Sequence, residues 1–248
     1  MTQHLDQQND SPLLSRLTLV TQSITTLAEQ YQRDPSSVAL LAVSKTRDIQ
    51  EIMTLLAAGQ RDFGENYLQE AVAKIETINQ ERPNEAPVWH YIGAIQSNKT
   101  RPIAEHFDWV HTLASPKVAT RLAQQRPDNL GPLNVLIQIN IDDEDSKSGI
   151  MPEALNGLVE VILALPRLKP RGLMAIPRAE NNVIAQALPF QRLRELLLTT
   201  QQKYGDQLVD FDQLSMGMSS DMAPAIKEGA TWVRIGTAIF GPRSISKS

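Results

Sequence analysis

Lys45 sits in the stretch LLAVSKTRD (residues 40–48), directly after a run of apolar and small residues. Such a run reads as a buried strand, so the lysine falls where the strand gives way to a turn. A lysine partly withdrawn from water loses preference for its charged form and becomes a usable amine nucleophile, suited to Schiff-base formation with an aldehyde. The plainer reading is a strand running out into solvent, and two further stretches bear on the choice. In LSMGMSSDMAPAIKEG (214–229) a short strand enters a turn of glycine and serine, and a helix begins near Asp221. Free backbone N–H groups at that helix start, with the hydroxyls of Ser219 and Ser220, suit a phosphate; alternatively Ser220 only caps the helix. In WVRIGTAIFG (232–241) the segment GTAIFG forms another turn whose glycines allow close backbone approach to a ligand. Arg234 lies inside the apolar strand before it. An unpaired guanidinium is costly there, so it is expected to meet a buried carboxylate or a ligand atom.

An amine, two phosphate seats and an arginine between them describe a ligand with both an aldehyde and a phosphate. Pyridoxal 5′-phosphate (PLP) fits, and so does a phosphosugar held by a Schiff-base aldolase. The aldolase needs further acid and base groups around the lysine, which the sequence does not identify.

Other residues invite chemistry and have plainer explanations. His90, placed at the end of a strand, reads better as a packed, hydrogen-bonded histidine than as a general base. The acidic run 142–145 lacks the glycine turn and the following glutamate of a calcium loop, so it reads as a solvated loop. Lys147 in DSKSGI is expected near the strand-end rim, as are Asn98 and Lys99 in QSNKT, where ligand contact and simple capping are both open.

The elements that must position these groups alternate along the chain. Strands are expected at 38–44, 62–64, 88–93, 108–112, 133–140, 168–176, 213–217 and 231–236. Helical periodicity falls at 49–58, 68–79, 117–125, 154–165 and 185–204. Alternation of this kind implies a parallel sheet covered on both faces, and LNVLIQIN (133–140) has the continuous apolar character that such a strand needs. At 248 residues, eight such units fit a single closed (β/α)8 barrel of the TIM type better than an open doubly wound sheet. Catalytic and binding groups of such a barrel sit at the C-terminal ends of the strands, and phosphate is often held after strands seven and eight. Those are the two turns singled out above. The chain stops soon after the eighth strand. Leu13, Leu17, Val20, Ile24 and Leu27 form one helical stripe, and that helix is expected to fill the gap in the outer ring. The expected division is a disordered lead-in at 1–11, a barrel at 12–243 and a tail at 244–248.

Composition narrows the function classes. With 24 Lys plus Arg against 28 Asp plus Glu, the net charge is −4, which argues against a nucleic-acid partner. There is no cysteine, which excludes disulfides, thiolate metal sites and cysteine nucleophiles; no metal site is expected. The polar N-terminus lacks a signal core, and no window approaches the ~18 apolar residues of a membrane span. A soluble cytoplasmic protein is the expectation.

Six motifs, LLAVSKTR, FGENYLQE, WHYIGAIQSNK, INIDDEDSKSGI, RGLMAIP and LSMGMSSDMAPAIKEGATWVRIGTAIFG, run in order from about residue 12 to 243. They closely resemble the pyridoxal phosphate homeostasis (YggS/PROSC-like) family, which is similar in fold to the N-terminal barrel of bacterial alanine racemases. The resemblance implies PLP bound to Lys45 as an internal aldimine. It also implies phosphate contacts from the Ser219/Ser220 turn and from Gly236 and Thr237, Arg234 facing the pyridine nitrogen, and Asn66 near the ring hydroxyl. Ala94 and Ile95 replace the family's usual proline and leucine; both are apolar, so the cofactor site is little affected. The family pattern makes Lys147 a candidate helper in cofactor exchange.

An arginine stays charged and can only donate, so it leaves the ring nitrogen unprotonated and weakens the electron sink that carbanion chemistry uses. The resemblance therefore implies a carrier that buffers PLP, with PLP-dependent apoenzymes as recipients and little or no turnover. The alternative is a PLP-dependent amino-acid racemase. Alanine racemases draw a tyrosine base from a second domain, and this chain ends at GPRSISKS, so a monomer with an open mouth is expected. Of its tyrosines, Tyr67 and Tyr91 are expected near the mouth, neither at the family base's position.

Overall fold

The computed structural model describes residues 11–142, 148–180 and 182–242. Eight parallel strands close in chain order into a barrel: β1 (Ala39–Val43), β2 (Asp62–Glu65), β3 (Val88–Tyr91), β4 (Trp109–Leu113), β5 (Leu133–Gln138), β6 (Leu168–Met174), β7 (Gln213–Ser215) and β8 (Trp232–Ile235). Each begins and ends within two residues of its expected span. The barrel shuts through four register pairs between β1 and β8, among them Leu41 with Arg234. Residues 1–10 of the expected lead-in at 1–11, the end of the expected barrel at 243 and the tail at 244–248 lie outside the described residues, as do Lys147 and acids 143–145.

The outer layer comprises α1 (Pro12–Gln30), α2 (Ile49–Ala57), α3 (Leu68–Glu81), α4 (Thr100–His106), α5 (Pro116–Gln125), α6 (Leu155–Leu163), α7 (Val183–Tyr204), α8 (Met222–Lys227) and α9 (Thr237–Phe240). Local sequence accounts for several boundaries. Asp48 opens α2 with a capping box: its carboxylate accepts from Gln50 N at 2.8 Å, while Glu51 accepts from Asp48 N. Helix α1 lays buried Leu13, Leu17, Val20 and Ile24 on the barrel. It packs against α2 on one side and α8 and α9 on the other, so the N-terminal helix closes the ring as its periodicity predicts. The turn expected at GTAIFG is in part a short helix, α9.

The large apolar core lies between sheet and helices, with Phe63, Trp89, Phe107, Phe190 and Phe211 fully buried. The barrel interior is different. His90 on β3 contacts Trp232 on β8 at a ring separation of 4.9 Å, and His111 on β4 meets Ser215 on β7 at 2.8 Å. These strands are not neighbours, so the side chains meet across the lumen. Trp109 and Trp232, the first residues of β4 and β8, pack ring to ring at 5.7 Å towards the N-terminal end. Where such barrels usually fill with branched aliphatics, this one carries a polar and aromatic column.

Candidate functional site

Residues 44–47 form a tight turn closed by the Arg47 N–H to Ser44 O bond, with Lys45 and Thr46 at its corners. Thr46 has φ +61°, a conformation disfavoured for a β-branched residue. It is held there by Glu70, whose carboxylate accepts the Thr46 N–H at 2.6 Å. Buried Lys74 ties the region together by donating to Ser44 O and to Glu65 Oε1, both at 2.9 Å, and to Glu70. Ser44 Oγ also donates to Glu65, at 2.7 Å. Burial pushes the Glu65 carboxyl up and the Lys74 charge opposes the shift. Ser44 thus faces the helix layer, and Lys45 follows it at the C-terminal end of β1, on the mouth side of the barrel. Lys45 is half-buried.

Asn66 follows β2, and its Oδ1 is buried without a hydrogen-bond partner. A Cβ added to Gly93 would lie 2.5 Å from Asn66 O, so the loop after β3 presses on the Asn66 backbone. On the other side of β1, Gly236 caps α9 and Thr237 is its exposed first residue. A side chain on Gly236 would meet Val43 O at 3.3 Å, so the β8 turn packs close to the strand that delivers Lys45. Ser219 and Ser220 are exposed in the turn from β7 into α8. Ser220 is not the cap. The N-cap is Asp221, whose carboxylate accepts the Met218 N–H at 2.6 Å and folds the turn. Gly217, before it, has φ +93°, and a Cβ there would lie 2.5 Å from that of Ala225.

Lys45, Asn66, Ser219, Ser220, Gly236 and Thr237 therefore occupy the rim above four consecutive strands, β7, β8, β1 and β2. Arg234 lies below them inside β8, buried at 5% exposure. Its protein acceptors are not the expected carboxylate but Ser215 Oγ (2.8 Å from Nη1) and Ala175 O (3.0 Å from Nη2). Burial lowers its pKa to about 10, with Asp221 opposing, so it is cationic at neutral pH. Neutral acceptors leave its charge uncompensated at contact distance.

The remaining candidates fall elsewhere. His90 is fully buried and hydrogen-bonded, in keeping with the packed reading. Tyr67 stands exposed at the start of α3, but Tyr91 turns into the helix-facing core and donates to Ala94 O, not to the mouth. Asn98 and Lys99 line an outer groove of about 440 Å³ between α3 and α4. Asp142 accepts the Arg178 N–H at 2.6 Å. No metal-binding group of His, Asp and Glu occurs among the described residues, nor does a helix long and apolar enough to cross a membrane. Sequence reasoning missed Ser215, Glu65, Glu70, Lys74 and His111. Ser215 lies within a quoted motif, but nothing in its spacing marks it as the arginine's acceptor.

The family model for the alanine racemase N-terminal domain matches residues 21–244. The solved alanine racemase of Corynebacterium glutamicum has the same fold, with a TM-score of 0.66 at 16% identity, covering 95% of this chain and 63% of that one. The molecule is thus an alanine-racemase-type barrel. At closer range, the pyridoxal phosphate homeostasis protein of Pseudomonas aeruginosa is 52% identical over 233 residues, 94% of this chain and 96% of that protein. That of Haemophilus influenzae is 51% identical over 232 residues, with 94% and 96% covered. PipY of Synechococcus elongatus, solved with PLP bound, is 36% identical with a TM-score of 0.75, covering 88% of this chain and 99% of its own. This chain belongs to the pyridoxal phosphate homeostasis protein family.

Proposed function

We propose that the chain binds pyridoxal 5′-phosphate covalently through Lys45 and serves as a carrier in PLP homeostasis, without efficient turnover. The single observation that carries this reading is the contiguous rim of amine, amide and two turn seats above a buried guanidinium. Two features suit the cofactor. Asn66 Oδ1 is a buried acceptor with no partner. Arg234 has five N–H donors, of which Nη1 and Nη2 engage Ser215 and Ala175. When bound, PLP supplies an aldehyde for the amine and a ring able to accept electrons once its nitrogen is protonated.

The chain's own residues set the rest. Thr46 and Glu70 hold the Lys45 turn in one shape. Ser219 and Ser220 are exposed for a phosphate, as is Thr237 at the start of α9, next to half-buried Gly236. Arg234 donates towards the ring nitrogen and gives it no proton, which suits holding the cofactor over amino-acid chemistry. The relatives named as homeostasis proteins, and PipY with PLP bound, support the same assignment. A cytoplasmic monomer is part of the proposal and rests on the sequence reading alone.

The test is an absorption spectrum of the PLP-loaded protein, light scattering on that sample, and a chiral assay against D- and L-amino acids. A PLP-loaded monomer with negligible racemisation is expected. A dimer with robust turnover would overturn the carrier reading in favour of a racemase.

A further inference from the structure

Asp62 opens β2 at the N-terminal end of the barrel, its side chain 27% exposed. His90 Nε2 lies 3.0 Å from Asp62 Oδ1, and His90 Nδ1 lies 2.9 Å from His111 Nε2. His111 Nδ1 lies 2.8 Å from Ser215 Oγ, which accepts from Arg234 Nη1 at 2.8 Å. Five side chains on β2, β3, β4, β7 and β8 thus make one unbranched line, from an anion near one end of the lumen to a cation beneath the other.

The two ends dictate its direction. A carboxylate only accepts and a guanidinium only donates. With Asp62 accepting from His90 Nε2–H, a neutral His90 must accept at Nδ1, so His111 donates from Nε2. His111 then accepts at Nδ1, so Ser215 Oγ–H donates to it, which leaves the Ser215 lone pairs for Arg234. Every hydrogen is used once. The opposite order needs a proton on Asp62 and aims two donors at Ser215, stranding its hydroxyl hydrogen in a buried site. The surroundings favour neutral imidazoles. Burial lowers the pKa of His90 despite Asp62 and Asp108, and that of His111 well below the usual range, with the His90 and Arg234 charges adding to the effect. The other charged groups bearing on the line are Arg171, over the Trp109 ring at 5.0 Å, and Asp221, beside Arg234.

We propose that Asp62, His90, His111 and Ser215 act as one directional hydrogen-bond line, with both histidines as Nε2–H tautomers, that positions Arg234 for the ring nitrogen of PLP. The line rests on the PLP reading only at its Arg234 end. It couples the floor of the barrel to the mouth: a substitution at Asp62, with no access to the cofactor, alters how the cofactor is held. Ser215, His111, His90 and Asp62 are positioning residues, acting through the guanidinium.

The test combines histidine side-chain proton–nitrogen correlation spectra, recorded without PLP, with PLP absorption and release measurements on the loaded protein. In the unloaded wild type, His90 and His111 are expected as Nε2–H tautomers at neutral pH. Asp62→Leu should free both to exchange tautomers, and Ser215→Ala should move the His111 Nδ1 resonance. In the loaded protein, Ser215→Ala should release PLP roughly fivefold to tenfold faster, the loss of about one buried hydrogen bond. Ser215→Thr, which keeps the hydroxyl, should restore retention, and Asp62→Leu should shift the absorption maximum in the same direction as Ser215→Ala. A cationic or Nδ1–H His111 in the wild type would overturn the line, whatever the variants do. Correct tautomers in a protein that takes up no PLP would support the line and refute the PLP reading. Correct tautomers with normal uptake and release indifferent to Ser215→Ala would overturn the positioning role.

Discussion

His111 Nδ1 on β4 and Ser215 Oγ on β7 lie 2.8 Å apart across the barrel lumen, between strands separated by β5 and β6. Ser215 is at the same time the acceptor for Arg234. The arginine under the mouth is therefore held by a serine on the neighbouring strand β7, and that serine is in turn engaged by a histidine from across the lumen.

Arg234→Gln keeps a donor but removes the charge. Losing a charge-assisted hydrogen bond is worth about 1.5–3 kcal/mol, so PLP affinity should fall roughly tenfold to a hundredfold. Arg234→Glu places a carboxylate where it favours a protonated ring nitrogen, and slow transamination should emerge. PLP titration and a transamination assay check both. Affinity and spectrum unchanged in both variants would mean that Arg234 does not face the cofactor.

Lys45→Ala should abolish the yellow colour of the PLP-loaded protein. Borohydride treatment of the wild type should fix the cofactor, with peptide mapping locating it on Lys45. An unchanged absorption band in the variant, or a label on another lysine, would leave Lys45 as a plain turn residue.

Lys74→Met should destabilise the fold by about 3–5 kcal/mol, because it leaves Glu65 as a buried charge without its partner. Lys74 donates to both Glu65 and Glu70. The double variant Lys74→Met/Glu65→Leu should regain much of that loss, since an apolar pair of similar size tolerates burial. Denaturant unfolding of the single and double variants measures the difference. Equal stabilities for wild type and Lys74→Met would show that the buried pair contributes little.

Acid should weaken the fold before the carboxylates titrate. Burial lowers the pKa of His90 and His111 in the folded chain, whereas an unfolded histidine titrates near ~6.5. Below that pH the unfolded state takes up protons first, so the stabilisation present above ~6.5 is lost as pH falls towards the folded-state values. Melting temperature measured from pH 8 to pH 5 should decline in the wild type and decline less steeply in His111→Gln. Parallel curves would show that His111 has no part in the acid response.

Much of this protein is legible without coordinates, because local physics writes it. Strand runs such as LNVLIQ and the 3–4 spacing of Leu13, Leu17, Val20 and Ile24 encode their elements in side-chain burial, and the observed spans follow them closely. The order of those elements implies a barrel, a barrel places chemistry at the strand ends, and the expected rim groups Lys45, Asn66, Ser219, Ser220, Gly236 and Thr237 do lie there. Only the tertiary structure decided what Arg234 touches. Its acceptors come from residue 215 and residue 175, and no spacing along one strand encodes a partner on another. The same holds for Lys74, whose partners Ser44 and Glu65 lie on two other elements that only the fold brings to it. It holds most of all for His90 and His111. His90 reads alone as a packed strand residue and His111 carries no signal of its own, and only closure of β8 onto β1 encloses the lumen in which they join Asp62 to Ser215. Hydrophobic pattern is local, so sequence carries it; hydrogen-bond partnership across a closed sheet depends on register and closure, which are properties of the whole chain.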